Sequence, residues 1–112
     1  MKTLLIDLDG VLNTYTGDYR ADFIPPIREG AHEFLEELSQ NYIIKIFTTR
    51  EKALAEKWVC EHELDKIVDG ITNFKEPCYM IIDDRCLTFN GNYSEILAKL
   101  QTHKPWYKVI AN

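Results

Sequence analysis

The chain has 112 residues, 46% of them hydrophobic and 28% charged, with a net charge of −5. That composition suits one small soluble domain over residues 1–112 with a single core, and the acidic balance gives no global pull toward nucleic acid or anionic membrane. Cys60, Cys78 and Cys86 form no C-x-x-C pair, which excludes a disulfide frame or a zinc site in favour of free thiols in a reducing, cytoplasmic setting.

The first predicted strand runs from Thr3 to Leu8, where Leu4-Leu5-Ile6 is a continuous aliphatic run ending in Asp7-Leu8-Asp9-Gly10-Val11-Leu12. Such runs, bounded by turn residues, suit a sheet buried on both faces. The acids Asp7, Asp9 and Asp18 exclude a signal peptide or membrane anchor among the first 20 residues. Residues 10–23 are polar and read as a loop or small hairpin, with Asn13 and Tyr15 either lining a mouth or simply turning the chain. Pro25-Pro26 then opens a predicted helix, as proline is tolerated in a first turn. Ile27, Ala31, Phe34, Leu35 and Leu38 recur there at helical spacing.

A second strand is expected over Tyr42 to Phe47, followed by Thr48-Thr49-Arg50. A second helix, Lys52 to Glu63, carries Leu54, Ala55, Trp58 and Val59 on one side, with Trp58 read as core packing. Ile67-Val68, with Ile71, marks a short third strand. Tyr79 to Ile82 is the fourth, and it too ends in acids, Asp83-Asp84-Arg85. Ser94 is placed as the cap of a third helix reaching Gln101, with Glu95 in its first turn. Trp106 to Ile110 would close the sheet as an edge strand. This alternation predicts an α/β fold, a three-layer α/β/α sandwich with a mostly parallel sheet.

Parallel strands finish on one edge, and ligands bind outside that edge where the strand order reverses. With strands one and four adjacent there, Asp7, Asp9 and Asp83 meet across one crevice, with Thr48 beside them. Clustered carboxylates repel, and a divalent cation such as Mg²⁺ holds them ionised. A magnesium-dependent phosphoryl site is the leading reading. The plainer alternative makes each acid a loop start or helix cap, and Thr48 and Thr49 suit a helix cap equally well. Arg50, Lys52 and Arg85 are candidates for a local basic patch, and Arg85 either bridges to Asp84 or meets substrate.

Asp7-Leu8-Asp9-Gly10-Val11-Leu12 resembles the first motif of the haloacid dehalogenase-like hydrolases, D-x-D-G-[T/V]-L. Ile44-Lys45-Ile46-Phe47-Thr48 resembles their second, Lys75 is the candidate for the third, and Asp83-Asp84 for the acidic fourth. The match runs in the correct order from about residue 3 to 85. The resemblance implies a Rossmann-like core and a phosphomonoester hydrolase. Asp7 would be the nucleophile that forms an aspartyl-phosphate, and Asp9 the general acid and base. Gly10, directly after Asp9, would let the chain turn sharply there and would stand with the substrate-binding residues.

Thr48 and the backbone and side chains of Thr49, Arg50 and Arg85 would hold phosphoryl oxygens, with Lys75 neutralising their charge. Asp7, Asp9 through its carbonyl, Asp83 and Asp84 would ligate Mg²⁺. The chain departs from the family at Lys75, which only Glu76, Pro77 and Cys78 separate from the fourth strand. An extended connector gains ~3.3 Å per residue, so Lys75 is expected to reach the site from the third strand, the alternative being a solvated lysine in a connector.

Residues 10–25 and 50–74 are too short for a folded cap, so the chain reads as capless. Its expected partner is a phosphorylated substrate, either a small molecule or a macromolecular end, and no membrane. A neighbouring subunit in a homo-oligomer is one source of a lid. Asp-Asp-Arg also resembles the ending in some polynucleotide 3′-phosphatases and nucleotidases. A receiver-like signalling module and a non-catalytic phospho-ligand binder stand as alternatives from other classes, although a receiver places its threonine later in the chain.

Overall fold

Lys2–Asp7 forms β1 in the computed structural model, which describes residues 1–102. Tyr42–Phe47 is β2, Gly70–Thr72 is β3 and Met80–Ile82 is β4. The pairings between these strands are all parallel, in the order β3-β2-β1-β4. Among the described residues three helices accompany them: α1 (Ala31–Ser39), α2 (Lys52–Glu61) and α3 (Tyr93–Thr102). The α/β architecture and parallel sheet are those expected from the sequence. Among the described residues no helix is long and apolar enough to cross a membrane.

Alternation along the strands sets which face holds the core. Leu4, Ile6, Ile44, Ile46 and Ile71 belong to one buried cluster with Ala31 and Leu35 of α1 and Ala55, Trp58 and Val59 of α2. Both helices therefore cover the same face, as right-handed crossovers from β1 to β2 and β2 to β3 require. Leu5 points the other way and is still fully buried. Each such aliphatic contributes about 1.5–3 kcal/mol by leaving water.

Several boundaries differ from expectation, each for a local reason. Pro25-Pro26 does not open α1, which begins after Gly30 (φ 87°). A residue before proline avoids the helical region, and the segment instead runs beside residues 12–14. Thr14 N–H donates to the Pro26 carbonyl (3.0 Å), and Arg28 N–H to that of Leu12 (2.8 Å). The Trp58 indole N–H then ties Pro25 to α2 (2.9 Å).

Ile67 and Val68 are not strand; their N–H groups fold back on the Leu64 carbonyl in a turn, which delays β3 to Gly70. The cap of α3 is Asn92 rather than Ser94, since Asn92 Oδ1 accepts from Glu95 N–H (3.1 Å). The helix has no buried residue and packs against none of the other described elements. The expected strand Trp106–Ile110 lies outside the described residues.

Candidate active site

Asp7 is the last residue of β1, and β1 lies between β2 and β4. Ile6 is in register with Ile82, so the chain leaving β4 delivers Asp83 and Asp84 to the same edge. This is the point where the strand order reverses, the place where open α/β sheets bind ligands. Carboxylate oxygens of Asp7, Asp83 and Asp84 all lie within 4.8 Å of one another.

That convergence has an electrostatic consequence. Burial first, then the charges of Asp83, Asp84 and Asp9, push the Asp7 carboxyl from its usual 3.8 to about 8. Burial likewise raises Asp84. Among the described residues neither buried oxygen of Asp84 has a well-formed hydrogen-bond partner; the hydrogen-bonding groups that act on it are the Asp7 carboxyl and its own backbone N–H. Such oxygens call for a cation, and a hard divalent ion with oxygen ligands fits this donor set.

Gly10 is what lets Asp84 sit there. Its φ of +89° is a left-handed conformation that side chains rarely adopt, and a Cβ at this position would collide with Asp84 Oδ2. The glycine expected to allow a sharp turn thus also makes room for an acid 74 positions later.

Asp9 stands apart from the three-acid cluster. Its Oδ1 accepts from Asn13 Nδ2 at 3.0 Å. Arg50 Nε donates to Oδ1 and Oδ2 (3.1 and 2.9 Å), and Nη2 to Oδ1 at 3.0 Å. Asn13 Oδ1 accepts in turn from the N–H groups of Gly10 (3.1 Å) and Tyr15 (3.0 Å), so one buried amide shapes the whole turn.

Thr48 is buried, and its hydroxyl oxygen accepts from Arg50 N–H (3.1 Å) while its own N–H donates to the Thr72 carbonyl (3.1 Å). Asn73 Nδ2 completes this turn by donating to the carbonyls of Thr48 (2.6 Å) and Arg50 (2.9 Å).

A cavity of about 340 Å³ opens over this edge, lined by Asp7, Asp9, Thr48, Thr49, Asp83 and Arg85, with Tyr15, Tyr19 and Phe47 as its aromatic wall. Gly10 and Asp84 line an adjoining crevice with Asp83 and Arg28. Two residues named from sequence lie elsewhere. Lys75 is exposed and does not line the cavity. Arg50 is not presented to solvent; it is buried with its guanidinium against Asp9.

Cys86 Sγ lies 3.4 Å from the Asp83 carbonyl, and burial with the neighbouring acids pushes its thiol up, which suits no thiolate nucleophile. Sequence reasoning missed Tyr19, Phe47 and the Asp9–Arg50 pair. The two partners are 41 positions apart, and nothing local links them.

A model of the NLI interacting factor-like phosphatase family matches residues 2–111. No curated protein matches the chain. The chain is similar in fold to the solved structure of a conserved protein from Bacteroides thetaiotaomicron, with a TM-score of 0.59 and 17% sequence identity. That match covers 99% of this chain and 98% of the other.

Proposed function

The chain belongs to the NLI interacting factor-like phosphatase family, a haloacid dehalogenase-like family, and from that premise we propose a Mg²⁺-dependent phosphomonoesterase acting through an aspartyl-phosphate on Asp7. The observation that carries this reading is the Asp7-Asp83-Asp84 cluster, in which two buried carboxylate oxygens lack a well-formed hydrogen-bond partner among the described residues.

Asp7, Asp83 and Asp84 would hold the ion. When bound it supplies positive charge that ionises Asp7 and offsets the charge of the phosphoryl oxygens.

An Asp7 oxygen then attacks phosphorus as the bond to the leaving oxygen breaks, and Asp9 gives that oxygen its proton. Asp9 next takes a proton from the water that attacks phosphorus and frees Asp7. The Thr48 hydroxyl has its oxygen fixed by Arg50 N–H, which leaves its proton to donate to a phosphoryl oxygen. Arg85, a cation lining the cavity, takes the charge-neutralising role in place of the exposed Lys75. Substrates are phosphomonoesters, either small molecules or macromolecular ends presented to the open cavity.

The test is release of nitrophenolate from para-nitrophenyl phosphate, with and without Mg²⁺. Wild type should turn over only with the ion and leave an acid-stable phosphoenzyme. Asp7→Asn should do neither while melting as a folded protein. Mg²⁺-independent turnover, or full activity in Asp7→Asn, would sink the proposal.

A further inference from the structure

Arg50 is the largest fully buried side chain among the described residues, 1% exposed. A guanidinium so deep is costly unless its donors are met, and each of its three nitrogens has a partner. Nε and Nη2 go to Asp9, while Nη1 donates to the Arg20 backbone carbonyl at 2.8 Å. The guanidinium also lies 4.7 Å from the ring centroid of Tyr19, a residue of the cavity wall.

The two oxygens of Asp9 are treated unequally. Among the described residues, Oδ1 accepts from Arg50 Nε, Arg50 Nη2 and Asn13 Nδ2, whereas Oδ2 accepts from Arg50 Nε alone.

We propose that Arg50 is a positioning residue for proton transfer at Asp9. With Asn13 it engages Oδ1 in three hydrogen bonds and so fixes the plane of the carboxylate, leaving Oδ2 the less occupied oxygen. Through the Arg20 carbonyl and the Tyr19 ring it fixes the cavity wall to that same carboxylate. The proposal rests on the reading of Asp9 as general acid and base. The planar fork of arginine is required, because lysine supplies one point charge and cannot serve Asp9 on two edges while reaching Arg20.

The experiment compares kcat/KM of wild type, Asp9→Asn, Arg50→Lys and Arg50→Ala on two esters, para-nitrophenyl phosphate and a simple alkyl phosphate. Nitrophenolate leaves without a proton, whereas an alkoxide needs one. A merely structural role lowers both rates equally.

Arg50→Lys should lose about tenfold or more extra on the alkyl ester, out of the ~10²–10⁴-fold that general acid catalysis supplies. Millimolar guanidinium should restore part of the alkyl-ester rate to Arg50→Ala. If Arg50→Ala does not fold, Arg50→Lys, which keeps the buried charge, decides alone.

Equal losses on both esters in Arg50→Lys, with Asp9→Asn still discriminating between them, would overturn the role of Arg50 and leave the acid reading intact. Equal losses in Asp9→Asn itself would overturn the acid reading and this proposal with it.

Discussion

At the scale of single residues, the site depends on an absence, that of a side chain at Gly10. The left-handed backbone and the contact with Asp84 act together, so Gly10→Ala meets both conformational strain and a steric collision. Strain of this kind costs about 1–3 kcal/mol, and the collision displaces one of the three clustered acids. Urea denaturation should register that loss of stability, and isothermal titration should show weakened Mg²⁺ binding. A variant that binds Mg²⁺ like wild type would show that Asp84 does not need the position it holds. Asn13 is the polar counterpart, since its one amide joins the turn of residues 10–15 to the Asp9 carboxylate.

At the scale of elements, the turn between β2 and α2 sets two adjacent threonines in different surroundings, although both line the cavity. Thr48 is buried with its oxygen on Arg50 N–H, whereas Thr49 is exposed. Thr48→Val leaves a buried N–H without an acceptor, a cost of about 1–3 kcal/mol, and removes the hydroxyl from the cavity. Thr49→Val, at the surface, should stay within about 0.5 kcal/mol of wild type. Thermal melts and turnover of the two variants should therefore separate clearly, with only Thr48→Val impaired in both. The α3 helix shows the opposite relation between sequence and tertiary structure. It has a capping Asn92 and a Glu95–Lys99 ion pair (2.9 Å) but, among the described residues, buries no side chain and packs against no other element, so the interactions described for it are local.

At the scale of the whole molecule, the acid cluster places function against stability. Without a cation the folded protein keeps a proton on Asp7 up to about pH 8, whereas an unfolded aspartate releases it near 3.8. The native state binds more protons across that window, so its stability falls as pH rises from about 4 to 8. Mg²⁺ held at the proposed site would require the ionised carboxylate, so its stabilisation would grow over the same range. It reaches about 2.7 kcal/mol when the ion is at 100 times its Kd. Melting temperatures in EDTA and in Mg²⁺ at pH 5, 6, 7 and 8 should diverge upward with pH. Asp7→Asn should flatten the EDTA series. A gap that is constant with pH would mean that Asp7 does not exchange its proton for the ion.

Much of this was legible in the order of residues. Buried runs that end in acids at Asp7 and Asp83 are visible without coordinates, because the period and length of a strand are local properties. The alternation of strands and helices likewise specified a parallel α/β sheet, since short chiral crossovers leave few other topologies. Some local boundaries were lost to competing signals. Pro25-Pro26 resembled a helix start until the pairing with residues 12–14 claimed its backbone, and Ile67-Val68 resembled a strand until Leu64 captured its N–H groups.

Tertiary structure alone decided the partnerships. It turned Arg50 inward to Asp9 across 41 positions, left Lys75 in solvent, and set Gly10 against Asp84. Composition and spacing specify which groups a chain owns and which edge they reach. Which of those groups touch is settled by packing, where a buried charge must find its partner wherever in the sequence that partner lies.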